Sequence, residues 1–76
     1  MRIRYVEVSG RTDAVGNVVP ERITWEDGRT WEIRRVLHTA RAPAGEYRGI
    51  RYTVQIGEKE KYIYRDGDRW YVLTEA

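Results

Sequence analysis

The sequence contains no cysteine, one histidine and one serine, and these scarcities exclude several kinds of chemistry. Disulfides and thiolate catalysis both require cysteine. A tetrahedral zinc site needs more nitrogen or sulfur ligands than His38 alone provides. Ser9 lies far from His38 in the chain and has no nucleophile-elbow glycines around it, and no GxxxxGK phosphate loop is present. We therefore predict that the protein is not an enzyme and binds neither a metal nor a cofactor.

Long apolar runs are also missing. No stretch approaches the ~20 residues that a helix needs to cross a bilayer, and no apolar stretch follows Met1 as a secretory signal requires. We expect a cytoplasmic location and no membrane partner. The 76 residues are enough for one small domain, so the prediction is a single β domain spanning residues 1–76.

The basic residues are almost all arginines, and they are unevenly distributed. Lysine and arginine total 14 against 12 acidic residues, and only Lys59 and Lys61 are lysines. A GC-rich genome or a warm habitat is the simpler source of this bias. Residues 29–56, however, carry six arginines against Glu32 and Glu46, a local net charge of +4, which leaves −2 for the remainder. This pattern predicts a dipolar protein with a basic middle.

Glycines separate short apolar segments along the whole chain, and no long window shows the spacing of an amphipathic helix. The segments predict six strands, at residues 2–8, 18–25, 29–37, 50–56, 61–65 and 69–74. We therefore predict an all-β fold. It is a small antiparallel five- to six-stranded barrel or strongly bent sheet, similar to an SH3 domain. The one long connection, residues 38–49, is a candidate functional loop.

The second and third predicted strands form the best-specified hairpin. A three-residue loop ending at Gly28 places Thr24 opposite Thr30 and Arg22 opposite Glu32, which are favourable cross-strand pairs. The opposite face of this hairpin is then apolar, with Ile23, Trp25, Trp31, Ile33 and Leu37. A two-residue loop would shift the pairing by one residue and oppose Ile23 to Glu32.

The last three predicted strands contain more apolar residues than one face can hold. In the strand at 50–56, Ile50, Tyr52, Val54 and Ile56 alternate with polar residues and are expected to face the core. A three-residue loop ending at Gly67, like the one ending at Gly28, places Tyr62, Tyr64, Trp70 and Val72 on the core side. Ile63, Tyr71 and Leu73 are then apolar on the other face, which predicts a second covering layer or a protein partner.

The candidate ligand-binding residues are the arginines and aromatics of the basic middle. They are Arg34, Arg35, His38, Arg41, Tyr47, Arg48 and Arg51. Arginine pairs bidentately with phosphates and stacks on rings, as in single-strand binding barrels. Arg35 has the parity of the apolar face, so we expect it to pair with Glu46 or Glu7. Without such a pair, it would mark an anion site.

Three stretches of the sequence form a pattern: PxxIxWxDGRxWxIxRVL from Pro20, GIRYTV from Gly49 and RWYV from Arg69. This pattern resembles a group of short uncharacterised proteins from clostridia and related Gram-positive bacteria. The resemblance implies a standalone bacterial protein and brings no activity, cofactor or catalytic residue with it.

Two functions from different classes fit these residues. The first is a non-enzymatic binding module for nucleic acid or another phosphate-bearing ligand. The alternative is a protein-interaction or homo-oligomeric module with Ile63, Tyr71 and Leu73 at its interface, since aromatics and arginine are also common at protein interfaces. A variant of the alternative is an oligomeric protein of a phage or mobile element that sequesters a nucleotide signal.

Overall fold

The computed structural model describes residues 2–42 and 48–74, and this part of the chain is all β. Its strands are β1 (Arg2–Thr12), β2 (Val18–Thr24), β3 (Thr30–Glu32), β4 (Arg35–Arg41), β5 (Ile50–Ile56), β6 (Lys59–Asp66) and β7 (Arg69–Thr74). They form one antiparallel sheet in the order β3-β2-β1-β7-β6-β5-β4. The predicted all-β class is confirmed, with seven strands in place of five or six.

The sheet curls because β1 belongs to two halves of it. Residues 2–6 of β1 pair with β7, and residues 7–12 pair with β2. The register shifts between Ser9 and Gly10, and Gly10 lies opposite Pro20, which has no N–H to donate. Such a bulge increases the local bend and twist of a strand. The two halves of the sheet therefore turn toward each other and give a half-barrel with a concave inner face.

The edge strands β3 and β4 are neighbours in the chain, joined by Ile33 and Arg34. The Ile33 N–H donates to Glu21 O at 3.0 Å, and the Arg34 N–H donates to Gln55 O at 2.7 Å. One dipeptide thus connects the two ends of the sheet, which also brings β2 near β4. The prediction of a strongly bent sheet is confirmed. The predicted single strand at 29–37 is wrong, because the chain turns a corner at these two residues.

The β2–β3 hairpin has the predicted register. Thr24 lies opposite Thr30, and Arg22 lies opposite Glu32. The Trp25 N–H donates to Arg29 O at 2.9 Å and closes a three-residue loop. Gly28 has φ +88°, a conformation that side chains disfavour, as this loop requires.

The inner face carries the main core. Its buried residues are Ile23, Trp25, Tyr52, Val54, Ile63, Trp70 and Val72. The predicted inward alternation of β5 is confirmed at Tyr52 and Val54, which are buried, whereas Ile50 at the strand end is more exposed. The inner face therefore combines residues from β2, β5, β6 and β7.

The face assignment predicted for β6 is wrong. Asp66 lies opposite Arg69, so the turn has two residues and begins at Gly67, whose φ is +63°. This turn is one residue shorter than predicted, which reverses every side chain of β6. Ile63 is 1% exposed in the core, whereas Tyr62 and Tyr64 lie on the outer face. The inward prediction for Trp70 and Val72 is confirmed.

Two further predictions, for the burial of Leu37 and for the start of the loop at 38–49, are also wrong. Leu37, expected in the core, is exposed, because the corner and a register shift between Val36 and His38 change the parity of β4. Val36 packs against the core in its place. The predicted loop at 38–49 begins later, since β4 continues to Arg41.

Candidate functional site

Arg51 and Tyr62 form the centre of a candidate binding surface on the outer face of β4, β5 and β6. Arg51 lies opposite Ala40 on β4 and Tyr64 on β6. Its guanidinium carbon is 4.5 Å from the centre of the Tyr62 ring. Arg51 is half-buried, whereas Tyr62 is 53% exposed. The pair therefore presents a positive charge over an aromatic ring at the surface.

The Arg51 Nε atom is buried and has no hydrogen-bond partner within residues 2–42 and 48–74. Buried polar groups in proteins are nearly always hydrogen-bonded, so an unsatisfied one calls for an explanation. The cation–π contact with Tyr62 compensates part of the cost of removing the charge from water. The other N–H groups of the Arg51 guanidinium can donate to an acceptor on a bound ligand.

Arg34 and Arg35 donate hydrogen bonds to polar groups of β5 and of the turn that follows it. The Arg35 Nε donates to Gln55 Oε1 at 2.9 Å, and Arg34 donates through Nη1 to Gly57 O at 3.2 Å. Both arginines are exposed. The expected pairing of Arg35 with Glu7 is wrong, because the corner turns Arg35 to the outer face. Glu46, the other expected partner, lies outside the described residues.

The remaining predicted site residues do not all share this surface. His38 lies opposite Thr53, which places it on the outer face between the positions of Arg35 and Arg51. Arg41 lies opposite Ile50 and so belongs to the inner-face parity. Arg48 is exposed, and its backbone oxygen accepts a hydrogen bond from the Tyr71 hydroxyl at 2.8 Å. Tyr47 lies outside the described residues.

The ion pairs of the described residues lie in the other half of the sheet. They are Arg11–Glu21, Arg22–Glu32 and Arg29–Asp27. No arginine of β4 or β5 has a carboxylate within 4.0 Å among the residues that the structure describes. Glu60 lies opposite Gln55 and is the carboxylate next in register to Arg35. Positive charge on the outer face of β4 and β5 is therefore less neutralised than on β1 to β3.

A second cluster on the outer face is covered by the chain itself. Tyr64 and Tyr71 stack with ring centres 5.0 Å apart and pack against Ala42. Burial raises the pKa of the Tyr71 hydroxyl above its usual value of 10.0. The predicted interface is therefore wrong for two of its three residues, because Ile63 is in the core and Tyr71 is only 3% exposed.

Arg65 is a site residue that the sequence analysis missed. It lies opposite Trp70, and its Nε donates to the Tyr52 hydroxyl at 3.1 Å, so the side chain lies on the inner face. The sequence had instead placed Arg35 on the apolar face. A two-residue turn beginning at Gly67 would have predicted it, because that turn gives Arg65 the parity of Ile63.

No three His, Asp or Glu side chains in the described ranges are grouped to hold a metal ion. The same ranges contain no helix that is long and apolar enough to cross a membrane. No protein-family model, curated protein or solved structure matches the chain. Any proposal for function therefore rests on the geometry of the chain's own residues.

Proposed function

We propose that the protein is a non-enzymatic binding module whose outer face on β4, β5 and β6 binds single-stranded nucleic acid. The observation that carries the proposal is the Arg51 guanidinium, stacked 4.5 Å from Tyr62 with its buried Nε unpartnered among the described residues. A guanidinium can stack on a base and donate its N–H groups to a phosphate.

The neighbouring arginines supply the charge that a phosphate backbone requires. Arg35 and His38 lie on the same face along β4, because the register shift between Val36 and His38 pairs them with the outward residues Gln55 and Thr53. Arg34 reaches the turn after β5. Three phosphate contacts on a single strand correspond to a slope of about −2 in log K against log salt.

The test is fluorescence anisotropy with a labelled, mixed-sequence single-stranded DNA at two salt concentrations. We expect Arg51→Ala to lose about 1–3 kcal/mol of binding free energy, the contribution of a stacked base. Arg11→Ala is the matched control, since it removes the same charge from an exposed pair with Glu21. It should cost much less.

Two results would contradict the proposal. Equal losses in Arg51→Ala and Arg11→Ala would mean that only overall charge matters. Equal affinity for a duplex of the same sequence would exclude stacking, because paired bases present no free face to Arg51.

A second candidate, a homo-oligomer or protein-interaction module, is favoured by another part of the outer face. Ile3 is 44% exposed and Tyr5 is 46% exposed, beside the half-buried Leu73. The test is the molecular mass of the protein in solution, measured by light scattering. Ile3→Asp should give monomers from an oligomer that resists salt, whereas Val15→Asp, in an exposed turn, should leave the oligomer intact. A wild-type monomer would exclude the homo-oligomer.

We also propose a cellular location and a fold family for the protein. We place the protein in a bacterial cytoplasm, supported by the sequence resemblance to short bacterial proteins. We also assign the curled sheet to the SH3-like barrels, supported by its seven antiparallel strands curled around a main core.

A further inference from the structure

Arg65 is held in one position on the inner face of the half-barrel. Its Nε donates to the Tyr52 hydroxyl at 3.1 Å, and its Nη1 donates to Gly67 O at 2.9 Å. Its guanidinium carbon is 6.0 Å from the centre of the Trp70 ring. The side chain is half-buried, and no carboxylate within the described residues lies within 4.0 Å of it. The charge is therefore fixed in place without a counter-charge.

A cavity of about 320 Å³ opens beside this guanidinium, at one end of the half-barrel. Apolar side chains of Val18, Val36 and Ile50 line it, and Asn17 and Thr39 add polar groups. This volume lies at the lower end of the range that small-molecule sites occupy, and the mixture of apolar walls and few polar groups is typical of them.

This cavity differs from two larger cavities beside β1 in the charge of the side chains that line it. The cavity of about 450 Å³ next to Trp70 is lined by Glu7 and Asp68 together with Arg69. The cavity of about 550 Å³ next to Trp25 is lined by Glu7 and Glu26. Those carboxylates disfavour an anionic ligand. No aspartate or glutamate lines the cavity beside Arg65.

We propose that the Arg65 cavity binds a small molecule that carries an oxyanion on an apolar body. The oxyanion, a carboxylate or a phosphate monoester, accepts hydrogen bonds from the remaining guanidinium N–H groups. The apolar body packs against Val36 and Ile50. This site is on the opposite face of the sheet from Arg51, so it stands independently of the proposed nucleic-acid surface.

The experiment is a titration followed through backbone amide NMR shifts, with benzoate, phenyl phosphate and neutral benzamide as probes. We expect at least one anion to give saturable shifts at Thr39 and Ile50, and benzamide to give much weaker ones. Arg65→Gln should weaken binding of that anion about tenfold or more, since hydrogen bonds to charged groups are the strong ones. Arg69→Gln is the matched control, because Arg69 lies over Tyr5 on the outer face.

A second variant covers the case in which Arg65→Gln does not fold, since Arg65 also holds the β6–β7 turn. Thr39→Trp fills the cavity from an exposed strand position and should abolish the saturable shifts. Arg51→Ala should leave them unchanged, which separates this site from the nucleic-acid surface. Absence of saturable shifts with both anions, equal affinity for benzamide, or unchanged binding in Thr39→Trp would overturn the proposal.

Discussion

Ile33 and Arg34 are adjacent in the chain, yet their backbone N–H groups donate to the two different arms of the curled sheet. Ile33 bonds to Glu21 on β2, and Arg34 bonds to Gln55 on β5. Because the chain passes directly from one arm to the other, the arms cannot move far apart. The same corner turns Arg35 outward, and so it determines which arginines share a surface with Arg51.

The corner hydrogen bond of Arg34 is testable with proline. Arg34→Pro removes the N–H that bonds to Gln55 O, and we expect a loss of about 1–3 kcal/mol in the free energy of unfolding. Arg34→Ala keeps that N–H and removes only the exposed side-chain bond to Gly57 O, so it should cost less than about 1 kcal/mol. Urea unfolding measures both. Similar midpoints for the two variants would contradict a structural role for the corner bond.

The face assignment of β6 predicts opposite responses from two consecutive residues. Ile63→Ala empties a core position and should cost about 2–5 kcal/mol. Tyr62→Ala removes an exposed ring and its contact with Arg51, which we expect to cost about 1 kcal/mol at most. Thermal and urea unfolding provide the comparison. If Ile63→Ala does not fold, Ile63→Val should still cost about 0.5–1.5 kcal/mol. A larger loss for Tyr62→Ala would mean that the strand faces the other way.

The Tyr71 hydroxyl connects the outer cluster to the chain before β5. Tyr71→Phe removes its hydrogen bond to Arg48 O and should destabilise the protein by about 0.5–1.5 kcal/mol. Tyr62→Phe removes a hydroxyl from an exposed ring and serves as the control, with no change expected beyond error. Equal stabilities of the two variants would mean that the Tyr71 bond contributes nothing.

Stability should fall on acidification because three carboxylates have lowered pKa values in the folded protein. Hydrogen bonding from the Asn17 N–H lowers the pKa of Asp13 below 3.8. The Arg29 N–H lowers the pKa of Asp27, and the Arg22 side chain lowers the pKa of Glu32. A carboxylate with a lowered folded pKa contributes stability above its unfolded pKa and loses it as the pH falls through the folded value.

The measurement is the melting temperature between about pH 6 and about pH 3, where these groups titrate. The wild type should become less stable as the pH falls. Asp13→Asn keeps the acceptor oxygen of the turn but cannot titrate, so its melting temperature should fall less steeply. A variant with the same slope as the wild type would show that Asp13 does not contribute to the pH dependence.

The features predicted correctly from the sequence are those whose determining contacts are local. The β2–β3 register followed from a loop ending in Gly28 together with the pairs Thr24–Thr30 and Arg22–Glu32, all within eleven positions of the chain. The inward alternation of β5 was equally local, since successive side chains of a strand point to opposite faces. The Arg51 position on the outer face followed from that alternation.

The turn before β7 was ambiguous in the sequence. Asp66-Gly67-Asp68 is compatible with a three-residue loop and with a two-residue turn that begins at Gly67. The choice between them depends on which face of β6 can be buried against β5 and β7. Only the packing of Ile63 in the core decides it, and with it the inward position of Arg65.

The sequence by itself determined an all-β chain, the β2–β3 hairpin and the outward direction of Arg51, because alternation and turn residues act over a few positions. The tertiary structure alone decided the corner at Ile33 and Arg34, the face of β6 and the site around Arg65. The physical reason is that these features depend on hydrogen bonds and burial between strands distant in the chain. Gln55, which accepts the Arg34 bond, and Tyr52, which meets Arg65, are distant partners of this kind.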